Sequence, residues 1–377
     1  MKLKTVVAVT TAILISGAAS AQEQLKFKYN LFAPPRHPIA QDSILPMVDA
    51  LKEASGGTVI VDPIFGGALF GAAETLDGLK GRGTETGYVV MGYYPAAFRY
   101  GTLVSNLALI GSEPLAASAA VTELSMLACA PCQEEYRKQN IVYLGGHSTG
   151  VYSLISKDPV DSLAALEGKR IRAAGSVWDR WLRTVGAVPV NVPTSEMFDG
   201  LNRGILDGAI VAPSALRSQS LWDASKYLNQ GPLGTYIAAI LVAANMDFYR
   251  ELSVEQRKLL IEAAAQGGFD ATWGYVSADS EVIDQAGEHG VTVQPLGDDV
   301  VESFKRFNEA DLAELPTMME ESLGIEGAAD IVGTYQELYQ KWEDKLRAAD
   351  ALADKDKAAA LFIEDVISRI ELSTYGL

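Results

Sequence analysis

The stretch Leu166-Glu167-Gly168-Lys169-Arg170-Ile171-Arg172-Ala173-Ala174-Gly175 decides which fold we expect of this chain. Between its two glycines, charged and apolar residues alternate over Arg170-Ile171-Arg172-Ala173, and this stretch predicts a strand over Lys169–Ala173. Apolar residues then recur at helical spacing, which predicts a helix over Val177–Val185. A strand followed at once by a helix is typical of α/β proteins, in which helices cover a sheet.

The same alternation continues in both directions. Downstream, we predict strands near Val188–Val190 and at Gly208–Val211, with a helix at Ser195–Asn202 between them. Upstream, an earlier series of strands and helices ends in a helix at about Leu115–Gln139 and a strand at Ile141–Gly145. Each series favours a parallel sheet covered by helices. The sequence therefore predicts the α/β class with two sheets.

No linker-like segment separates the two series. We therefore expect two lobes with a cleft between them, and a chain that crosses from one lobe to the other more than once. The predicted division is a signal peptide over 1–21, a first lobe over 22–149 plus about 237–277, a second lobe over 150–236 plus about 278–325, and a C-terminal helical extension over 326–377.

The first 21 residues predict export from the cytoplasm. Lys2 and Lys4 precede a mostly apolar run over Thr5–Ile15, and small residues lead up to Ala21. This order is typical of a secretory signal peptide, and we place its cleavage after Ala21, near the polar Gln22. A membrane anchor is the alternative, but the apolar run is too short to span a bilayer. We expect a periplasmic protein without direct membrane insertion.

Composition and motifs narrow the function. The chain has 377 residues and a formal net charge of −17, which gives no basis for binding nucleic acid or coating anionic lipid. The motifs of common hydrolases, metalloproteases and nucleotide-binding proteins are missing, so we predict no cofactor and no enzyme activity. A secreted enzyme with a carboxylate pair in the cleft remains the alternative from another class.

Two cysteines occur, in Cys129-Ala130-Pro131-Cys132. This spacing is compatible with a redox-active dithiol, or with half of a zinc site that would need a second pair of ligands. A local structural disulfide is the favoured interpretation in an oxidising compartment.

The stretch from Leu166 to Gly208 resembles the DctP-type extracytoplasmic solute-binding proteins of tripartite ATP-independent periplasmic (TRAP) transporters. The family pattern G-x-K-I-R is matched with Arg170 in the lysine's place, and Val185-Gly186-Ala187-Val188-Pro189-Val190, Pro193-Thr194-Ser195-Glu196 and Gly204-Ile205-Leu206-Asp207-Gly208 follow in the family order. The resemblance implies a two-lobed periplasmic-binding-protein fold. It also implies that a bound ligand is delivered to a permease with a small and a large membrane subunit.

Arg172 is the main candidate for ligand binding. It falls at the end of a predicted strand, the edge where ligands bind in doubly wound folds. A guanidinium can hold a carboxylate through two parallel hydrogen bonds, and the resemblance implies that Arg172 is the family's carboxylate clamp. The alternative is a surface arginine in a weak salt bridge.

The chain departs from the family pattern at two places near this arginine. Tyr152 stands where some members have a second arginine, and the ending after Asp207-Gly208 lacks the family's ligand-binding asparagine. These losses favour a ligand with one carboxylate and an aromatic or other apolar body. A C4-dicarboxylate or sugar acid is the rival ligand, because its further polar groups need partners once they leave water.

Further candidates are aromatic or polar residues in predicted loops and helices near the cleft. Each has an alternative structural role, such as core packing for the tryptophans or helix capping for Glu196. Tyr93 and Tyr94 are neighbours, so we expect only one of them to face the ligand. The candidate ligand-binding residues besides Arg172 are Tyr152, Trp178, Phe198, Tyr93, Tyr94, Phe32, His37, Asn30 and Glu196.

Overall fold

The computed structural model describes residues 24–377, so the predicted signal peptide and its cleavage after Ala21 lie outside the described residues. The strands are β1 (Leu25–Asn30), β2 (Val59–Ile64), β3 (Thr86–Val90), β4 (Ile141–His147), β5 (Ser153–Ser156), β6 (Arg170–Arg172), β7 (Val188–Val190), β8 (Gly208–Val211), β9 (Tyr227–Gln230), β10 (Ala239–Asn245) and β11 (Thr292–Pro295). The α-helices are α1 (Leu45–Ala54), α2 (Thr75–Lys80), α3 (Arg99–Ser105), α4 (Pro114–Glu123), α5 (Ala130–Lys138), α6 (Ser176–Thr184), α7 (Met197–Asn202), α8 (Ala215–Ser218), α9 (Met246–Glu251), α10 (Val254–Gln285), α11 (Asp298–Leu323), α12 (Ala328–Ala348) and α13 (Lys355–Asp365).

The first sheet has five strands in the order β2-β1-β3-β10-β4. Strand β1 runs parallel to β2 and β3, whereas β10 runs antiparallel to β3 and β4. The prediction of a parallel sheet was therefore wrong for its last two pairs. The chain leaves this sheet at His147 and returns opposite it at Ala239, so the returning strand must run in the reverse direction.

The second sheet has six strands in the order β11-β9-β5-β8-β6-β7. Strand β6 pairs in parallel with β7 and β8, while β5 runs antiparallel to β8 and β9. This sheet is also mixed, because β5 enters it directly from the first sheet. Strand β9, Tyr227–Gln230, was not predicted, since four residues without alternating burial give little signal.

Helix α10 connects the two lobes. It spans 32 residues and begins at a capping box formed by Ser253 and Gln256. Its middle lies very close to β4, since a Cβ at Gly268 would clash with the carbonyl oxygen of Gly146. Its last residues, including Val282, join the apolar core of the second lobe. The segments 148–152 and 231–238 also cross between the sheets, so the predicted repeated crossing is confirmed.

The predicted helical C-terminus is also confirmed. Helix α12 packs on α4, and α13 packs on α10, so both return to the first lobe. Between residues 24 and 377 no single helix has the length and apolar composition to span a bilayer, although the bent pair Pro114–Ala128 and Ala130–Lys138 meets those criteria jointly.

The single helix predicted over 115–139 is broken at Cys129. Helix α4 passes into a wider turn over Leu124–Ala128, and α5 starts after Cys129, whose sulfur accepts a hydrogen bond from the backbone N–H of Cys132. The two cysteines are joined in a disulfide and are fully buried. The predicted disulfide is therefore confirmed, and it lies at the bend between two helices.

A buried arginine between the lobes

Arg172 lies at the carboxyl end of β6 and has no exposed surface. Its Nε donates to the carbonyl oxygen of Val192 at 3.0 Å, and Nη1 lies 3.5 Å from that of Ile210. Its Nη2 lies 3.4 Å from the hydroxyl oxygen of Tyr93, which belongs to the other lobe. The guanidinium therefore faces the cleft, held by backbone carbonyls from behind.

No carboxylate among residues 24–377 forms a salt bridge with this arginine. Asp179 of α6 feels its positive charge, but burial dominates at that carboxyl and raises its pKa. A buried cation without an acidic partner costs several kcal/mol. A positive charge without an acidic partner among residues 24–377 therefore faces the cleft.

The cavity at Arg172 has mainly aromatic walls. Its free space is about 40 Å³, which is room for a few water molecules. A ring-sized ligand does not fit that space with the lobes as they stand, so entry requires the lobes to separate. The lining residues are Phe32, Ala33, His37, Tyr88, Val90, Tyr93, Thr149, Tyr152, Arg172, Ala174, Thr194, Tyr236 and Tyr275.

Five of the predicted ligand-binding residues meet at this cavity. They are Arg172, Tyr152, Tyr93, Phe32 and His37. Tyr93 bridges the lobes, because its hydroxyl oxygen also accepts the backbone N–H of Thr194 at 3.3 Å. Burial raises the pKa of Tyr152, which keeps this phenol neutral beside the arginine.

Two of the other predicted residues lie within the first lobe, away from the cavity. The Asn30 side chain binds the backbone of Phe70 and the hydroxyl of Thr75, so it joins β1 to the segment before α2. The Tyr94 hydroxyl accepts the backbone N–H of Leu76, so its ring points away from the cleft. As expected for neighbouring residues, only one of the two tyrosines faces the cavity.

The remaining three lie in or on the second lobe. Trp178 is fully buried behind the cavity wall, where its ring packs against Tyr152 at 5.3 Å and its Nε1–H donates to the carbonyl of Leu233. Phe198 packs against the second apolar core. Glu196 is exposed, its side chain makes no capping hydrogen bond to α7, and it does not line the cavity.

Tyr88, Tyr236, Tyr275, Thr149 and Thr194 line the cavity but were not predicted. Tyr275 lies in the middle of α10, far in sequence from every other lining residue, so no local pattern marks it. Tyr236 and Thr149 belong to the crossing segments, and a hydrogen bond from the Tyr236 backbone N–H to the Thr149 hydroxyl joins them. Tyr236 and Thr149 could have been predicted only by assuming that the segments that cross between the lobes line the cleft.

Two histidines lie next to these tyrosines. His37 Nε2 is 3.4 Å from the Tyr275 hydroxyl oxygen, and His147 Nε2 is 3.1 Å from that of Tyr88. Burial lowers the pKa of His147 to about 4, and burial together with the neighbouring His147 lowers the pKa of His37 to about 3. Both imidazoles are therefore neutral at pH 7, which leaves Arg172 as the one cation of the cavity wall among residues 24–377.

Further contacts hold the two lobes together around the cavity. The Arg36 guanidinium donates to the carbonyl of Ser218 at 3.0 Å and to the hydroxyl of Ser220 at 2.9 Å. At the other end of the cleft, Asn106 Oδ1 accepts hydrogen bonds from Ser176 and Arg180, both at 2.9 Å. The structure therefore shows the lobes in a closed arrangement.

A larger groove, of about 550 Å³, is lined by α10, the crossing segments and the C-terminal part of the chain. Its lining contains Asp279 and Glu113 but no cationic side chain from the described part of the chain. Burial raises the pKa of Asp279 to about 7, and the Ser214 backbone N–H donates to its Oδ1 at 2.7 Å. An organic anion would be repelled there, so the smaller cavity is the better candidate despite its size.

Comparisons with known proteins agree with this fold. The model of the family DctP, described as bacterial extracellular solute-binding protein, family 7, matches residues 29–317. The ectoine-binding periplasmic protein TeaA of Halomonas elongata is 28% identical over 174 residues, which cover 45% of this chain and 50% of TeaA. The chain thus spans about half the length of that curated relative.

Two solved structures share the fold. A TRAP solute-binding protein from Rhodoferax ferrireducens, in complex with copurified benzoate, has a TM-score of 0.76 at 20% identity, with 84% of this chain and 98% of that chain covered. A marine metagenome TRAP protein specific for aromatic acids, in complex with metahydroxyphenylacetate, has a TM-score of 0.75 at 20% identity, with 84% and 99% covered. The predicted two-lobed fold is confirmed.

Proposed function

The chain belongs to the DctP family of bacterial extracellular solute-binding proteins, and on that premise we propose that it captures a monocarboxylate with an aromatic or other apolar body. The carboxylate binds Arg172, and the ring occupies the aromatic walls. Closure of the lobes removes water from the pair and strengthens it. The bound acid is then delivered, unchanged, to a TRAP permease with a small and a large membrane subunit.

The observation that carries the proposal is the buried guanidinium of Arg172, which has no acidic partner in the part of the chain that the structure describes. An arriving carboxylate removes the cost of that unpaired charge, so we expect the guanidinium of Arg172 to contribute much of the binding free energy. A planar fork also selects carboxylates by geometry. The match of the family model to residues 29–317 supports the same role.

The wall composition supports the ligand's apolar body. Phe32, Tyr88, Tyr93, Tyr152 and Tyr275 surround the cavity, and Arg172 is its one cation among residues 24–377. A second carboxylate of a C4-dicarboxylate would lose its water without gaining a positive partner, which is costly. The named ligands of the two similar structures, benzoate and metahydroxyphenylacetate, are acids of the proposed class.

One observation favours a second candidate, a zwitterion such as ectoine. Aromatic faces hold delocalised cations, and the curated relative TeaA is named as an ectoine-binding protein. The cavity wall contains no carboxylate between residues 24 and 377 that would pair with such a cation. For this reason the aromatic acid is the preferred ligand class.

The test is calorimetric titration of the purified protein with benzoate, 3-hydroxybenzoate, succinate, malate and ectoine. We expect the two aromatic acids to bind at least about tenfold more tightly than the other three. Tight binding of succinate or malate with none of the aromatic acids would overturn the ligand class, and preferential binding of ectoine would favour the second candidate.

A substitution tests the role of Arg172. Arg172→Lys keeps the charge but loses the two-pronged geometry, and we expect a loss of about 2 kcal/mol in the binding of benzoate, or about 30-fold in Kd. The matched control is Arg170→Lys on the same strand, where the half-exposed guanidinium pairs with Asp207. Equal affinities for wild type and Arg172→Lys would contradict the clamp.

A further inference from the structure

We propose that His37 fixes the direction of the Tyr275 hydroxyl, so that its proton points into the cavity and binds an oxygen of the captured anion. His37 is then a positioning residue, and Tyr275 is a second ligand-binding group beside Arg172. The inference rests on the proposed function, since it concerns the same cavity. It adds a reason why Tyr275 of α10 would favour ligands with a hydrogen-bond acceptor.

The first step is the tautomer of His37. The backbone N–H of Ile39 donates to Nδ1 at 3.3 Å, so that nitrogen carries a lone pair and not a proton. A neutral imidazole then has its proton on Nε2. Nε2 lies 3.4 Å from the Tyr275 hydroxyl oxygen, and the two rings meet edge to face with centroids 5.5 Å apart. His37 therefore donates and Tyr275 accepts.

The second step is the proton of Tyr275. Its oxygen receives the histidine N–H, and the hydroxyl makes no other hydrogen bond among residues 24–377 that would use its own proton. The Tyr275 side chain is buried, and Tyr275 and His37 both line the cavity that contains Arg172. A buried hydroxyl proton without an acceptor is costly, so an oxygen of the ligand satisfies it.

The second histidine has the opposite polarity. His147 Nδ1 lies 3.0 Å from the carbonyl oxygen of Ser148, which only accepts, so the proton is on Nδ1. Its Nε2 must then accept the hydroxyl proton of Tyr88 at 3.1 Å. Two neighbouring tyrosines thus differ: the proton of Tyr88 is used within the protein, whereas that of Tyr275 is available.

Tyr93 extends the same pattern. Its hydroxyl oxygen accepts from Arg172 Nη2 and from the backbone N–H of Thr194, so its own proton is also left for the cavity. Arg172, Tyr93 and Tyr275 together present donors to one ligand group. Such a set suits a carboxylate, and it disfavours an ammonium group at the same place, since an ammonium has only donors.

The first measurement needs no ligand. The chain has three histidines, so ¹⁵N-edited NMR of the imidazoles of the full-length mature protein can assign each tautomer. We expect His37 to be protonated at Nε2 and His147 at Nδ1, both neutral at pH 7. A His37 protonated at Nδ1 would overturn the proposal, because Tyr275 would then have to donate to it.

The second measurement is a mutant cycle with benzoate as the probe. We expect Tyr275→Phe to weaken binding about 10- to 100-fold, as for loss of a hydrogen bond to a charged group. His37→Leu should weaken binding about fivefold in the wild-type background and less than about twofold in the Tyr275→Phe background. His37→Gln supplies a side-chain N–H and should restore most of the loss.

The alternative outcomes separate the two proposals. Equal losses from His37→Leu in both backgrounds would mean a structural role for His37 and would overturn the inference. Absence of benzoate binding by the wild type would contradict the proposed ligand class, and the NMR tautomers would then decide the polarity of the His37–Tyr275 pair on their own.

Discussion

At the scale of single residues, the place of Arg172 at the cavity could be predicted because it depends on a short local pattern. A strand end, a family motif and the chemistry of the guanidinium all concern residues close together in sequence. Tyr275 could not be predicted, because it reaches the cavity only through the packing of α10 across both lobes. Tyr94 and Trp178 are aromatic residues of the kind that binds ligands, yet neither lines the cavity. The Tyr94 hydroxyl binds backbone within the first lobe, and the Trp178 indole binds backbone behind the cavity wall.

Asp279 gives a prediction about stability. Its pKa is raised to about 7 in the folded protein from an ordinary value of 3.8, mainly by burial. The folded state therefore keeps this proton at pH values where the unfolded chain has lost it, and the ionisation of Asp279 lowers stability as the pH rises from about 4 through 7. Asp279→Asn removes this loss and can still accept the Ser214 N–H.

We expect Asp279→Asn to exceed the wild type in free energy of unfolding by on the order of 3 kcal/mol at pH 8, and to match it within error near pH 4. Urea unfolding at both pH values measures this. Asp284→Asn, at an exposed position of the same helix, is the control and should change neither value.

The lowered pKa values of His37 and His147 act on stability in the opposite direction, but they are common to the wild type and both variants and cancel in the differences. A variant less stable than the wild type at pH 8 would contradict the assignment.

At the scale of elements, the strands and helices around Arg172 followed the sequence pattern, because their periodicities are local. The direction of β5 and β10 did not, since direction depends on where the chain crosses between sheets. The helix predicted over 115–139 was too long, because the sequence pattern does not show the bend. Its apolar residues continue past the bend at Cys129, where a disulfide and a proline end α4 and restart the chain as α5.

The end of α3 gives a prediction about lobe closure. Asn106 Oδ1 accepts from Ser176 and Arg180 of α6, and Arg180 also pairs with Asp311 of α11 through two hydrogen bonds of 2.6 Å. Asn106→Ala leaves these donors without that acceptor and weakens the closed arrangement. We expect benzoate to bind about 3- to 10-fold less tightly, mainly through faster dissociation.

Stopped-flow fluorescence can measure that dissociation rate, because Trp178 packs directly against Tyr152 of the cavity wall. Thr102→Ala is the matched control, since the Thr102 hydroxyl donates to the carbonyl of Phe98 within the first lobe and has no other partner among the described residues. An unchanged dissociation rate in Asn106→Ala would show that these contacts do not hold the closed lobes.

At the scale of the whole molecule, two lobes, repeated crossings and a helical C-terminus were predicted, because alternation of strands and helices without a linker leaves few other arrangements. The cavity itself could not be predicted, since its walls come from both lobes, two crossing segments and one helix. Lobe closure brings these parts around a buried positive charge that no carboxylate among residues 24–377 neutralises. We therefore propose that ligand capture depends on pairing that charge.

The central claim is that Arg172 pairs with the carboxylate of the ligand, and calorimetric titration of benzoate and of its neutral amide, benzamide, tests it most directly. The wild type and Arg170→Met should prefer benzoate over benzamide by about 100-fold or more, as expected for a desolvated, charge-assisted pair. In Arg172→Met we predict that the preference falls below about threefold. A preference that stays at the wild-type value in Arg172→Met would contradict the account.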